Sequence, residues 1–153
     1  MYKVIFINGP NLNLLGIRER DVYGSTTLED IAILVTKKSN ELGIDIDFIQ
    51  TNHEGEIIDK IHASRGVYNV IVINPGAYTH YSIGIRDAIK AVEIPTIEIH
   101  LSNIYSREEF RTKSVIAPVC AGQISGFGKA SYILALYAAK ELLDELGYSK
   151  TNM

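Results

Sequence analysis

Short apolar runs and helical periodicities alternate along this chain. Val4-Ile5-Phe6-Ile7 is apolar and rich in β-branched residues, and Asn8-Gly9-Pro10 stops it. That combination predicts a buried strand. Thr26-Thr27-Leu28-Glu29 has capping-box spacing. Ile31, Leu34, Val35 and Leu42 then recur at helical intervals up to Gly43, a C-terminal stop. Ile44 to Ile49 predicts a second strand, and Glu56 to Ser64 a short helix with Ile57, Ile58 and Ile61 on one face. Asn69 to Ile73 is the clearest strand, closed by Asn74-Pro75-Gly76. Beyond it the pattern predicts a helix over Ser82 to Val92, a strand over Pro95 to Ile99, one helical turn over Ser106 to Phe110 and a fifth strand over Val115 to Ala121. A long helix follows from Ala130 to Leu146, with Ile133, Leu136, Leu143 and Leu146 on its apolar side and Gly147 as its stop.

Strands apolar on both faces, alternating with helices, imply an α/β protein whose parallel sheet is covered on both sides. Right-handed crossovers make it doubly wound. For five strands the expected arrangement is the flavodoxin-like order 2-1-3-4-5. No linker or internal repeat divides the chain, so a single catalytic domain is expected over residues 1–153, with residues 149–153 as a frayed tail. At 153 residues, such a domain buries about two-thirds of its unfolded surface and needs no staples.

Composition narrows the function classes. A net charge of −3 argues against a general nucleic-acid binder, which would be basic. Cys120 is the sole cysteine, so no internal disulfide is possible. A reducing cytoplasmic home is expected, with Cys120 as a small buried hydrophobe in its apolar run. The first apolar run is too short to span a membrane and is followed by no signal-peptide cleavage pattern.

In an open parallel sheet, ligands bind beyond the carboxyl ends of the strands, where strand order reverses. The residues just past the predicted strands are therefore the first candidates: Asn8, Asn11 and Asn13; then Asn74, Gly76 and His80; then His100, Ser102 and Asn103. The connection from Asn8 to Ser25 is long against the usual length of about two to six residues, and long connections are usually functional. Gly16 and Gly24 at its ends would suit a lid; a solvated surface loop is the plainer alternative. Arg18 and Arg20, with Arg107 and Arg111, would form a basic patch attracting a small anion, unless they make only local ion pairs.

Tyr23 is a candidate base, because cations beside a phenol favour its ionised form; the commoner role for a tyrosine next to glycine is packing. Glu98 and His100 stand two apart on a predicted strand and so face the same side. The carboxylate could hold and charge the imidazole as a proton donor, or simply satisfy a core histidine. His80, His100 and Glu98 could instead be metal ligands, but no closely spaced pair such as His-Glu-x-x-His supports this. His53 and His62 have no strong claim, and His62 is expected to face solvent. Gly126-Phe127-Gly128-Lys129-Ala130-Ser131 fails the phosphate-loop spacing, since Gln123 stands where the first glycine belongs and Ala130 follows the lysine. Close helix packing is the expected reason for these glycines.

Four ordered blocks resemble the type II 3-dehydroquinate dehydratases over almost the whole chain. They are Asn8-Gly9-Pro10-Asn11-Leu12-Asn13-Leu14-Leu15-Gly16 with Arg18-Glu19 and Tyr23-Gly24; Asn74-Pro75-Gly76-Ala77-Tyr78-Thr79-His80; Glu98-Ile99-His100-Leu101-Ser102-Asn103; and Arg107-Glu108-Glu109-Phe110-Arg111. The resemblance implies a lyase of the shikimate pathway, converting the small anion 3-dehydroquinate to 3-dehydroshikimate by anti elimination through an enolate, with no cofactor, metal or Schiff base. It implies Tyr23 as base, with Arg18 lowering its pKa, Asn11 positioning a water that stabilises the enolate, His100 as acid and Glu98 as its orienting partner. Backbone groups at Leu101 and Ser102, with the Ser102 hydroxyl, would hold the substrate carboxylate; Asn74, His80, Asp87 and Arg111 would bind the rest of the ring. It also implies a homo-oligomer, a dodecamer built of trimers, with Asp87 reaching a neighbour's site. Two positions depart from the family pattern: Arg20 stands where proline is frequent, and Tyr81 where a small hydroxyl residue is common. A flavodoxin-like signalling or flavin-binding module is the rival class. A receiver domain would want acidic residues where Asn8 and Asn11 stand, and a flavin binder would purify yellow.

Overall fold

The computed structural model describes residues 1–147; the tail expected at 149–153 lies outside the described residues. Five parallel strands form one sheet in the order β2-β1-β3-β4-β5, as the alternation of elements predicts. They are β1 (Tyr2–Asn8), β2 (Ile44–Gln50), β3 (Val70–Asn74), β4 (Thr96–His100) and β5 (Gly122–Ser125). The helices are α1 (Arg20–Tyr23), α2 (Leu28–Leu42), α3 (Glu54–Ala63), α4 (Ile83–Val92) and α5 (Ala130–Glu145).

The apolar runs of β1 and β3 serve two cores at once, because successive side chains on a strand point to opposite faces. Val4, Phe6, Val70 and Val72 pack with Ile31 and Val35 of α2 and with Tyr132, Leu136 and Leu143 of α5. Ile5, Ile7, Ile71 and Ile73 pack on the other face with Ile57 and Ile61 of α3 and Ile85 and Ile89 of α4. Each fully buried isoleucine contributes roughly 1.5–3 kcal/mol. A one-residue slip of β1 would exchange its two faces, so its register is tightly specified. Among the described residues no helix is long and apolar enough to cross a membrane.

Three local readings are corrected. The fifth strand is not Val115 to Ala121 but Gly122–Ser125, paired with Ile97 to His100. The earlier run instead holds a 3-10 turn at Ala117–Val119. Pro118 cannot donate to a ladder, and Val115, Ile116, Val119 and Cys120 are apolar because they pack against the isoleucine core. The true β5 lies at the sheet edge and lacks a continuous apolar run. The cap of α2 is one residue later than the expected box: Thr27 Oγ1 accepts from Asp30 N at 3.1 Å, and Asp30 Oδ2 from Thr27 N at 3.0 Å. The glycines before α5 are not explained by helix packing. Gly126 (φ 97°) lies with its Cβ position 3.0 Å from Asn103 Cβ, and Gly128 (φ 59°) faces open space. Left-handed backbone is what they supply.

The carboxyl ends of β1 and β3 approach so closely that Gly9 has no room for a side chain. A Cβ there would sit 2.6 Å from the Pro75 carbonyl oxygen, and Gly9 N already donates to Asn74 O at 2.8 Å. Gly9→Ala is expected to destabilise the fold by about 1–3 kcal/mol, read as a shift of the urea midpoint at unchanged slope.

Candidate active site

The switch point between β1 and β3 opens into a cavity of about 110 Å³. Its walls come from three strand ends. The connection after β1 supplies Asn11, Arg18 and Tyr23; the turn after β3 supplies Asn74, Gly76 and His80; and the segment after β4 supplies His100, Leu101, Ser102, Arg107 and Arg111.

The long connection is a folded loop. A 3-10 turn (Leu12–Leu14) and α1 lie within it. Gly16 (φ 90°) packs so near Ser25 that a Cβ would lie 3.0 Å from that carbonyl oxygen. This brings Tyr23 back over the sheet. The Arg107 Nη1 donates to the Tyr23 hydroxyl at 2.8 Å. The guanidinium carbons of Arg18 and Arg107 stand 5.1 and 5.5 Å from the centre of its ring. Glu19 supplies the counter-charge: Arg18 donates to it at 2.8 Å and Arg107 stands 3.7 Å away. The Arg18 hydrogen bond, with help from Arg107 and Arg111, holds the Glu19 carboxyl below the usual range. Arg20 does not join this group. Its Nε donates to Gly16 O at 2.9 Å, bracing the loop.

Opposite stands the β4 pair. His100 Nε2 and Glu98 Oε2 are hydrogen-bonded, and both side chains are buried. Since the carboxylate accepts, Nε2 carries the proton and Nδ1 is the nitrogen left over. Glu98 also accepts from Thr79 Oγ1 at 2.6 Å, Ser114 Oγ at 2.8 Å and Gln123 Nε2 at 3.0 Å. Burial alone would raise the Glu98 pKa; hydrogen bonds from His100, Thr79 and Ser114 outweigh it and hold the carboxyl below its ordinary value. The half-buried His80 faces Lys113 O through Nδ1 at 2.8 Å, and burial lowers its pKa, keeping it neutral.

Of the asparagines expected after β1, only Asn11 lines the cavity. It sits in left-handed backbone (φ 68°), with its N–H on Asn52 Oδ1 at 3.0 Å. Asn8 is buried beneath, Asn13 is exposed beside Gln50, and Asn103 caps the turn after β4. Among the described residues no group of three or more His, Cys, Asp or Glu side chains is placed to hold a metal.

The model of the family described as dehydroquinase class II matches residues 2–140. The chain belongs to that family. A 3-dehydroquinate dehydratase of Caldicellulosiruptor bescii is 66% identical over 145 residues, 94% of this chain and 100% of that one. The crystal structure of type II dehydroquinase from Butyrivibrio crossotus superposes with a TM-score of 0.89 at 48% identity, covering 91% of this chain and 97% of that one. The type II dehydroquinase from Propionibacterium acnes gives 0.87 at 41% identity, covering 92% and 97%.

In this class II dehydroquinase, Tyr23, Arg18, Asn11, Asn74, His80, His100, Leu101, Ser102 and Arg111 all line one cavity, and Glu98 lies directly behind His100. Asp87 does not join them: it is exposed on α4, outside the cavity of its own chain. The residue that sequence reasoning underrated is Arg107. The pattern placed it only in a basic patch, whereas it is the direct partner of the Tyr23 hydroxyl, 84 positions away in the chain. Thr79, Ser114 and Gln123 carried no signal as a group, because each is an ordinary polar residue on a different segment.

Proposed function

We propose that this class II dehydroquinase removes water from 3-dehydroquinate to give 3-dehydroshikimate, by anti elimination through an enolate without metal or Schiff base. The observation that carries the reading is the pairing, within one cavity, of a phenol flanked by two guanidinium groups and an imidazole backed by a buried carboxylate. Elimination beside a ketone requires a base for the carbon acid, donors for the enolate oxygen and an acid for the leaving hydroxyl. Tyr23 takes the proton beside the ketone as its phenolate, which the guanidinium groups of Arg107 and Arg18 stabilise before the transfer, and the negative charge passes to the enolate oxygen. Asn11 positions a water against the enolate oxygen. The enolate electrons then form the C=C bond as the C–O bond breaks, and His100, entering this step as the imidazolium with Nε2–H held by Glu98, gives its Nδ1 proton to the departing hydroxyl, which leaves as water. Glu98 stabilises the imidazolium and holds Nε2–H, so that Nδ1 is the nitrogen that gives up its proton.

Backbone groups at Leu101 and Ser102, with the Ser102 hydroxyl, hold the substrate carboxylate. Asn74, His80 and Arg111 bind the ring hydroxyls, and the arginines lining the cavity favour an anionic substrate. The exposure of Asp87 on α4 suits a residue offered to a neighbouring copy, in a dodecamer built of trimers. The lone Cys120 suits a reducing cytoplasm, and the reaction belongs to the shikimate pathway.

The test is direct. Purified protein mixed with 3-dehydroquinate is expected to produce the conjugated enone, followed as a rise in near-ultraviolet absorbance. No rise above the protein-free rate across a range of buffers and pH would overturn the assignment.

A further inference from the structure

We infer that Tyr132 is a positioning residue for this reaction: its buried hydroxyl dictates which way round the Asn74 amide is presented to the cavity. The inference rests on the reading of that cavity as the substrate site. Tyr132 projects from the first turns of α5 into the core and is completely buried. Its ring stacks on Phe6 at 6.1 Å and lies 6.0 Å from Phe48. Such packing needs only a ring. The hydroxyl is a separate feature, placed between two asparagines: it donates to Asn8 Oδ1 at 2.6 Å and accepts from Asn74 Nδ2 at 3.0 Å.

The polarity of this chain of hydrogen bonds is set at both ends by backbone groups that cannot reverse. At one end Asn8 Nδ2 lies 2.9 Å from the Ile49 carbonyl, which only accepts. The Asn8 amide must therefore turn its NH₂ there and its oxygen toward Tyr132. A phenol has one proton to give, and Asn8 takes it. Burial raises the Tyr132 pKa well above the ordinary range, so that proton stays in place. Toward Asn74 the hydroxyl can then offer only a lone pair, and Asn74 must answer with Nδ2. At the other end, Gly76 N–H only donates, and it meets Asn74 Oδ1 at 3.3 Å.

A flipped Asn74 amide would set oxygen against the lone pair of Tyr132 and NH₂ against the Gly76 N–H. Both contacts are repulsive, and for a side chain only 3% exposed water cannot relieve them. One Nδ2 hydrogen of Asn74 is used by Tyr132, and the other remains for an acceptor oxygen in the cavity. Without the Tyr132 hydroxyl, the amide keeps, among the described residues, only the long bond from Gly76. Neither Asn8 nor Tyr132 lines the cavity, so both act through Asn74.

The experiment uses Tyr132→Phe, Asn74→Ala and the double variant in the full-length assembled protein, with 3-dehydroquinate as substrate. Asn8→Ala is a second route to the same end, since it frees the hydroxyl proton to turn toward Asn74. Loss of one net hydrogen bond predicts that kcat/KM falls about five- to tenfold in the folded Tyr132→Phe protein, mainly through KM. Adding Tyr132→Phe to Asn74→Ala should cost less than about twofold more. Side-chain amide proton exchange at Asn74, assigned by loss of its NMR signals in Asn74→Ala, should be slow in wild type and at least tenfold faster in Tyr132→Phe or Asn8→Ala. Unchanged exchange overturns the inference, as does a folded Tyr132→Phe with wild-type KM or a full additive loss in the double variant. If Tyr132→Phe does not fold, Asn8→Ala supplies the same readings. A wild-type protein without turnover overturns the proposed reaction instead, and the exchange measurement alone then decides the role of Tyr132.

Discussion

Tyr23→Phe is expected to lower kcat by about 10²–10⁴-fold while substrate still binds with an affinity close to that of wild type. The ring stays in place between the Arg18 and Arg107 guanidinium groups, since those contacts involve its face. Only the oxygen is lost, and with it the proposed base. Asn74, Ser102 and Arg111, the proposed substrate-binding groups, still line the cavity. Steady-state turnover and isothermal titration with 3-dehydroquinate separate the two effects. A variant that keeps near-normal kcat would remove Tyr23 from the role of base. A variant that loses binding and turnover together would make it a binding group.

Glu98→Gln should damage both turnover and stability. In the wild type the carboxylate accepts from His100, Thr79, Ser114 and Gln123. A glutamine NH₂ in that place faces donors with another donor, and the imidazolium that the proposed acid step requires loses its counter-charge. We expect kcat to fall about 10²–10⁴-fold and the folded state to lose about 3–5 kcal/mol, as when one partner of a buried pair is removed. The pH dependence has a definite sign. The folded Glu98 pKa lies below the ordinary value of 4.5. Its ionised form therefore stabilises the fold fully above the unfolded pKa, and this contribution is lost as pH falls through the folded pKa. Urea unfolding at a series of pH values should show a constant gap between wild type and variant near neutrality, closing below about pH 4.5 as the wild-type carboxyl is protonated. Parallel curves down to strong acid would mean that Glu98 is not the buried anion of this site.

Much of this architecture is written in local pattern. β1 and β3 are apolar at every core position because they are covered on both faces, and that leaves an unmistakable run. The edge strand β5 leaves none. Its expected place was taken by residues 115–121, which are apolar for a different reason, packing from a loop around Pro118. Local sequence reports burial, and burial by a strand and burial by a loop look alike over a few residues. The cap of α2 shows the same limit at finer scale: Thr26 and Thr27 both offer a hydroxyl, and only the folded chain selects Thr27 with Asp30.

In the site, the Glu98–His100 pair was legible because a period of two on a strand puts both side chains on one face. The convergence of three strand ends was legible from topology alone. What the sequence determined by itself is therefore the doubly wound sheet, the long loop after β1 and the set of candidate groups at the switch point. Tertiary structure alone decided which cation meets Tyr23, Arg107 rather than Arg20. It also decided which hydroxyls surround Glu98, and that Asp87 stands outside its own chain's cavity. The physical reason is range. Periodicity and capping act over a few residues, whereas these contacts join segments dozens of positions apart, brought together only when both faces of the sheet are packed.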